Sequence, residues 1–433
     1  LIVYRLSPLY TSQIEKLGFL DWQFYPLEEL RRGYNTSSLK NTDIRLLTGI
    51  DYQLAKGLTI GIKYQYQEGK SNNEGLSAAE SYYTRNLING YSIVNESGQV
   101  AGYNIPLGAI RRRSSSQNIS HNFRSQLGYQ NIWNDHSINV IGGAEAREFQ
   151  TKGESSMFYG YDASTGSFKS INPTSYFSLN PSGFSNISDG LFTTATIDRF
   201  RSFYTNFSYS YKERYTLTGS GRIDQSNLFG VRTNQKSVPL WSIGARWDLF
   251  REPFYDVDWM DRISLRATYG YNGNVDKSVT ALTTFRYASN ARFTNLPYAE
   301  ISRIANPELR WEKIGMLNLG LDYSLLDNRI SGSIEYFSKK GRDLIAAQTM
   351  STTSGVQEFR GNYAAMKGRG VDLILNSDNN RNEDFSWQTG ILLSWAKDRV
   401  TVFSGAFPSL LGTGSTASPV VGYPVNALYS FKW

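Results

Sequence analysis

The sequence of 433 residues lacks cysteine altogether and has only two histidines. Without cysteine there are no disulfides, no thiolate metal sites and no cysteine nucleophile. The sequence also lacks any run of about 18 to 20 consecutive apolar residues, the length that a membrane-spanning helix needs. The mean hydropathy of −0.41 agrees with that absence. These features exclude a helical membrane protein and thiol-based chemistry.

Aromatic residues, by contrast, are abundant. The 29 Tyr, 23 Phe and 9 Trp are more than we expect of a soluble enzyme. The net charge is +7, but the basic residues are scattered, and residues 111–113 form the only tight basic cluster. Nucleic-acid binding is therefore disfavoured.

The strongest pattern is an alternation of apolar and polar residues. Leu265, Ala267 and Tyr269, for example, alternate with Arg266 and Thr268. Successive side chains of a strand point to opposite faces, so each such segment has one apolar and one polar face. About twelve segments show this pattern: 44–54, 58–68, 117–130, 137–149, 200–212, 215–225, 238–249, 262–272, 311–325, 330–340, 367–377 and 385–396. Most have about 10 to 15 residues, which suits tilted membrane strands better than the shorter strands of soluble proteins.

The connections between these segments differ in length according to their parity. Connections after odd-numbered segments are mostly short, as at 55–57 and 326–329. Those after even-numbered segments are mostly long: 69–116, 150–199, 273–310 and 341–366, with 226–237 of modest length. Short periplasmic turns and long extracellular loops are typical of outer-membrane barrels. We therefore predict an all-β fold, a transmembrane antiparallel β-barrel.

A barrel of this kind directs its apolar face to lipid and its polar face to the lumen. Residues 44–396 are predicted to hold the strands, and residues 1–43 and 397–433 to be extracellular loop segments. Aromatic residues near the strand ends are expected to form interfacial girdles. Those residues are Trp133, Trp259, Trp311, Tyr336 and Trp387.

Several separated motifs, in order, resemble SusC/RagA-type TonB-dependent transporters. They include NISHNFRSQLGYQNIWNDHSINVIGGAE at 118–145, YTLTGSGRIDQSNLFG at 215–230 and ISLRATYGYNGN at 263–274. The most telling block spans 306–345, and NYAAMKGRGVDLIL at 362–375 and GYPVNALYSFKW at 422–433 follow it. Gln225 stands where the family pattern leads us to expect glycine. The resemblance covers about 300 residues, from about residue 117 onward.

The resemblance implies a 22-stranded barrel with a plugged lumen. About twelve strands are present here, and the plug domain is absent from this chain, so we expect an internal portion of a longer transporter. Such a barrel would import oligosaccharides or peptides, together with a SusD-like surface lipoprotein and with energy from the TonB complex acting through the absent plug region. Outer-membrane lipid and lipopolysaccharide are expected partners. The alternatives are a passive porin-type channel and a barrel-based surface scaffold or adhesin.

Aromatic side chains in the loops are candidates for contact with a substrate or partner, because their faces stack on sugars and on peptide side chains. The candidates are Tyr82, Tyr83, Phe158, Tyr159, Tyr161, Tyr176, Phe177, Phe285, Tyr287 and Phe293. The alternative for each one is loop folding and docking to neighbouring loops.

We predict no catalytic, cofactor or metal site, and hence no enzyme. His121 is expected on a wall strand and His136 in a short turn, near opposite ends of one strand, which does not suit a metal site formed by both. Asp256, Asp258 and Asp261 form an acidic cluster, for which a solvated periplasmic turn is favoured over a metal site. Gly-x-Gly occurrences lack a following helix, so nucleotide binding is not supported.

Overall fold

The computed structural model describes residues 8–227, 237–274, 276, 279, 282–288, 291, 293–294, 296–351, 353, 358–382, 384–405 and 419–427. Its helices are α1 (Pro8–Glu15), α2 (Pro26–Arg32) and α3 (Tyr82–Gly90), and a short 3-10 turn covers Leu249–Arg251. Within these described ranges, no helix is both long and apolar enough to cross a membrane.

Strands dominate the structure. The first nine are β1 (Asn35–Ala55), β2 (Leu58–Ser77), β3 (Ser92–Val94), β4 (Val100–Tyr103), β5 (Ala109–Trp133), β6 (His136–Tyr161), β7 (Tyr176–Ser178), β8 (Phe184–Asn186) and β9 (Phe192–Tyr211). The remaining nine are β10 (Tyr215–Ser226), β11 (Ser237–Asp248), β12 (Arg262–Asn274), β13 (Thr284–Ala288), β14 (Tyr298–Arg303), β15 (Glu312–Leu325), β16 (Ile330–Thr349), β17 (Glu358–Arg381) and β18 (Ser386–Phe403).

Twelve of these strands form one antiparallel sheet in the order β1-β2-β5-β6-β9-β10-β11-β12-β15-β16-β17-β18. Each sheet strand pairs with the next sheet strand along the chain, the up-and-down order of a barrel wall. The described part of this sheet is open, because β1 and β18 do not pair with each other. The twelve strands coincide with the twelve alternating segments, so the predicted antiparallel wall is confirmed. Three two-stranded sheets, β3-β4, β7-β8 and β13-β14, lie in the long connections.

The wall strands extend further toward the long connections than alternation predicts. β1 begins at Asn35 rather than at residue 44, and β5 begins at Ala109 rather than at 117. Parts of the predicted loops, such as 69–77 and 150–161, are therefore strand. Alternation ends early because both faces of a strand meet water once it has left the bilayer, while backbone pairing continues. Residues 35–43, NTSSLKNTD, for instance, are polar on both faces of β1 apart from Leu39.

The parity of the connections holds at most positions of the wall. The exceptions are the 13 residues 249–261 after β11 and the eight residues 350–357 after β16. The turns after β1, β5 and β15 comprise residues 56–57, 134–135 and 326–329. Left-handed backbone conformations close these turns, with φ of 46° at Asn134 and 62° at Asn328. Asparagine tolerates this conformation better than most residues. The connection between β10 and β11 falls almost entirely outside the described residues, as does most of 404–433.

Candidate substrate conduit and loop surface

The two faces of the wall differ in burial, and the difference identifies the lumen side. Buried wall residues on the polar face include Ser202, Tyr204 and Ser264. On the apolar face, Leu319 is 45% exposed and Ile50 is 74% exposed. A soluble sandwich would bury the apolar face instead. The polar face is therefore the more crowded side, which suits the lumen, and the exposed apolar face suits contact with lipid.

Arginine and carboxylate side chains link neighbouring strands across the polar face. Arg266 of β12 donates two hydrogen bonds to Asp322 of β15, at 2.8 and 2.9 Å, and one to Glu335 of β16 at 2.6 Å. Gly320 lies between these partners, and a Cβ there would be 3.1 Å from the Nη2 atom of Arg266. The absence of a side chain at Gly320 thus leaves room for the guanidinium. The guanidinium of Arg266 therefore links the three strands β12, β15 and β16.

A second group of this kind lies on β6, β9 and β10. The Nε atom of Arg222 donates to Asp224 at 2.6 and 2.9 Å, and its Nη2 atom donates to Ser202 at 2.8 Å. Glu145 of β6 lies 3.9 Å from the same guanidinium. Because Arg222 and Arg266 are both matched with acids, these parts of the lumen face offer fixed groups of both signs. Such a face suits polar oligomers better than it suits selection of small ions of one charge.

The structure corrects part of the predicted aromatic girdle. Trp133, Trp259 and Trp387 are exposed near the ends of the wall strands beside the short turns, as expected. Trp311, however, is 6% exposed and packs with Leu309 on the loop side. Tyr336 pairs with Leu319 within the apolar face and lies well inside its strand, not at the strand end. Alternation shows which face a residue occupies, but tertiary packing decides its burial and depth.

The long connections after β2 and β6 pack together with the segment before β1. We call residues 8–34, 78–108 and 162–191 the loop assembly. Its buried core extends onto the loop-side ends of β5 and β6 and consists of Ile88, Tyr91, Ile105, Ile110, Tyr159 and Ile187. Asn89 is fully buried; its side chain accepts from Leu20 N at 2.9 Å and donates to Leu20 O at 2.8 Å. Asn180 donates to Asn89 O and Ser92 O at 3.1 and 2.8 Å. These bonds make the three segments one ordered body.

Several predicted contact aromatics take part in this folding. Tyr159 is 3% exposed and donates to Ser188 O at 2.6 Å. Phe177 packs against the same core. Tyr82 lies 5.1 Å from the ring of Phe24. For these three side chains, the alternative of loop folding is the better interpretation.

Other predicted aromatics are held at the rim of the loop assembly. Phe158 packs edge-on against Phe168, with ring centroids 4.8 Å apart. Arg111 lies over the ring of Tyr161 at 5.0 Å. Tyr83 and Tyr176 are exposed. Tyr83 and Tyr176 are therefore the residues of this group that remain accessible to a ligand.

The hairpin of β13 and β14 carries a second group of predicted residues. Phe285 pairs with Ile301, and Tyr287 pairs with Ala299, so these side chains share one face. Phe285, Tyr287 and Ile301 are all exposed, and Phe293 is 94% exposed. The opposite face carries the ion pair of Arg286 and Glu300. The hairpin therefore presents an apolar, aromatic face outward, separate from the loop assembly.

Comparison with known proteins assigns this wall to a family. The sequence pattern described as "TonB dependent receptor-like, beta-barrel" matches residues 9–428. The chain belongs to this family. The predicted resemblance to SusC/RagA-type transporters and the predicted outer-membrane location are thereby confirmed.

Its relatives are longer proteins. TonB-dependent receptor P26 of Formosa agariphila is 26% identical over 326 residues, which are 72% of this chain and 31% of that protein. TonB-dependent receptor SusC of Bacteroides thetaiotaomicron is 24% identical over 259 residues, which are 55% of this chain and 25% of SusC. A structure of the RagAB peptide transporter superposes with a TM-score of 0.73 at 19% identity, over 92% of this chain and 41% of that one. The matched residues of this family member thus cover less than a third of the length of P26 and of SusC.

The two histidines of this barrel chain lie on the wall. His121 Nδ1 is 2.8 Å from the hydroxyl of Tyr64, and His136 Nδ1 is 2.7 Å from that of Tyr209. The prediction that His136 lies in a short turn is wrong: it is the first residue of β6, because strand pairing begins directly after Asp135. In the described part of the chain, no three His, Asp or Glu side chains come close enough together to hold a metal ion.

The turn between β11 and β12 contains the predicted acidic cluster. Asp261 accepts from the backbone N–H of Asn328 at 2.9 Å and so ties this turn to its neighbour. Glu252 accepts from Trp247 Nε1 at 2.9 Å and lies 3.3 Å from the guanidinium of Arg214. Hydrogen bonds from Tyr215 and Trp247, together with the charge of Arg214, hold the pKa of Glu252 below its usual range. Asp261 and Glu252 thus link neighbouring strands and connections at the short-turn end of the wall.

Proposed function

We propose that this chain forms part of the wall and loop surface of an active outer-membrane importer of oligosaccharides or peptides. The polar face, with Arg222 and Arg266 matched to acids, carries the proposal. A substrate passing this face meets donors and acceptors of both signs at fixed positions. The proposed import involves no covalent reaction at these residues.

The long connections are proposed to face the cell exterior and to receive a SusD-like lipoprotein. The aromatic face of the β13-β14 hairpin, with Phe285 and Tyr287 exposed, supports a protein contact, because exposed aromatic groups are enriched at interfaces. The loop assembly supplies an ordered base for such a contact. Tyr83 and Tyr176 are proposed to contact the substrate at its rim. Energy would come from the TonB complex.

The experiment uses the full-length transporter in its native host. Deletion of the gene is expected to abolish growth on one substrate class, either oligosaccharides or peptides, as sole nutrient, and the intact gene is expected to restore it. Affinity purification is expected to recover a surface lipoprotein. Replacement of Phe285 and Tyr287 by serine should weaken that recovery. Matched serine replacements of Leu27 and Leu30, exposed on α2, should not.

Unchanged growth on both substrate classes would contradict import and would favour a scaffold or adhesin. Substrate entry that continues without TonB would instead favour a passive channel. The name of the RagAB peptide transporter supports the peptide class. The growth test decides between peptides and oligosaccharides.

A further inference from the structure

Seven cations lie on the lipid-facing side of β15–β18, just beyond the apolar face. They are Lys313, Lys340, Arg342, Lys367, Arg369, Lys397 and Arg399, and we call them the outer basic patch. All seven are exposed. They come from four strands and are as far as 86 residues apart in the sequence, from Lys313 to Arg399.

Strand register places the patch on the lipid-facing side. Leu319, Tyr336, Val371 and Trp395 form one cross-strand row of the apolar face. Two residues toward the long connections, the next row of the same face contains Arg369 paired with Lys397. The row after it contains Lys340, Lys367 and Arg399, and Lys313 pairs with Arg342 one row further. Same-face rows are about 7 Å apart along a strand, so the patch begins one row beyond the apolar band.

The patch is not neutralised by the wall itself. Lys340 lies opposite Lys367, and Lys367 lies opposite Arg399. Like charges directly opposite each other destabilise a sheet. In the described part of the chain, the paired rows that hold the patch contain no carboxylate, and no patch residue takes part in an ion pair. An external anion would relieve this repulsion.

The position of the patch identifies the kind of anion. It lies at the loop-side edge of the band, where the head groups of the outer leaflet meet the wall. At the other edge, the matching row contains Ile330, Ser377 and Thr389 and has no cation. The outer leaflet of a Gram-negative outer membrane consists of lipopolysaccharide, whose lipid A carries phosphate groups. Arginine binds phosphate in a bidentate manner, and lysine binds it as a point charge.

An apolar groove lies on the same face, mainly on β10–β12, β15 and β16, toward the short turns and to one side of the patch. Its volume is about 980 Å³, and its lining includes the small side chains of Ala245 and Ala267. Leu319 and Tyr336, on the two strands that the groove shares with the patch, also line it. The groove opens on the lipid-facing side, which suits an acyl chain rather than a polar substrate. We propose that the outer basic patch binds the lipid A phosphates of lipopolysaccharide and that the groove holds one of its acyl chains.

The test measures binding of purified lipopolysaccharide to the delipidated full-length transporter in neutral detergent. Each cation near an anionic membrane surface contributes a factor of about five in affinity. Replacing Lys367 and Arg369 by glutamine is therefore expected to weaken binding about 25-fold. Because the change removes like-charge repulsion, the variant is expected to fold at least as well, which heat-dependent gel migration checks. The matched control replaces Lys56 and Arg329, two exposed cations of the short turns, and should bind like the wild type.

Three further probes identify the ligand. Dephosphorylated lipopolysaccharide should bind about as weakly as the double variant, whereas phosphatidylglycerol and inorganic phosphate should not displace lipopolysaccharide. Equal binding by the wild type and the patch variant would overturn the proposal. So would equal binding of the dephosphorylated form, or displacement by either competing anion. These outcomes do not depend on which nutrient the transporter takes up.

Discussion

Replacing Leu319 by arginine tests the facing of the wall. Leu319 is 45% exposed, between Ala267 and Tyr336 on the apolar face. Arginine on the lipid-facing side costs about 2–4 kcal/mol at the bilayer midplane and less toward the interfaces, so about 2 kcal/mol is expected at Leu319, one row inside the outer basic patch. A cost of about 2 kcal/mol corresponds to about a 30-fold lower equilibrium constant for folding.

The neighbouring Asn318 supplies the matched control. It lies on the polar face, paired with Thr268 and Phe337, so an arginine there points into the lumen. We expect this second variant to cost less than about 1 kcal/mol, as is usual for a solvated position. Ser324 lies on the same face but is a poorer control, because it is 6% exposed and its hydroxyl donates to Asn328.

The assay is reversible urea unfolding of the full-length protein in lipid vesicles, followed by tryptophan fluorescence. The expected result is a large loss of stability for Leu319→Arg and a small one for Asn318→Arg. Equal losses, or the reverse order, would refute the assignment of the apolar face to lipid.

Three further variants test the contacts within the wall and the loops. Arg266→Lys keeps the charge but loses the bidentate bond to Asp322, and should lower the free energy of unfolding by about 1 kcal/mol in the same urea assay. Asn89→Leu removes two buried hydrogen bonds and should cost about 2–4 kcal/mol locally; limited proteolysis should then cut the loop assembly faster, while heat-dependent gel migration of the barrel stays unchanged. Glu252→Gln tests a pKa that Tyr215 lowers in the folded state. A lowered folded pKa stabilises above the unfolded pKa, and that contribution is lost as pH falls through the folded value. Wild type and Glu252→Gln should therefore differ at pH 7 and converge at low pH; a difference independent of pH would contradict this role.

Much of the wall was predictable, because membrane strands repeat a simple physical requirement. Leu265 must face lipid and Arg266 must face the aqueous lumen, and this requirement recurs in each strand. The predicted strands ended too early where both faces meet water, as at 35–43. Pairing there depends on the partner strand, which local alternation does not report.

The loops were much less predictable. No local pattern shows that Asn89 joins the backbone of Leu20, or that Tyr159 is buried rather than open to substrate. The contact of Asn89 with Leu20 joins residues 69 apart in the sequence, and the burial of Tyr159 depends on how two long loops pack. The outer basic patch was unpredictable for the same reason, since it too brings together residues that are distant in the sequence. Lys340 and Arg399 are scattered in the sequence, and only the register of three strands brings them to neighbouring positions.

The central claim is that this wall belongs to an active importer, and the most direct measurement is uptake of a labelled substrate with and without TonB. Cells with the full-length transporter should accumulate the substrate when TonB is present and lose nearly all uptake when the tonB gene is deleted or the proton gradient is collapsed. Uptake that continues unchanged without TonB would contradict the account and would identify a passive channel.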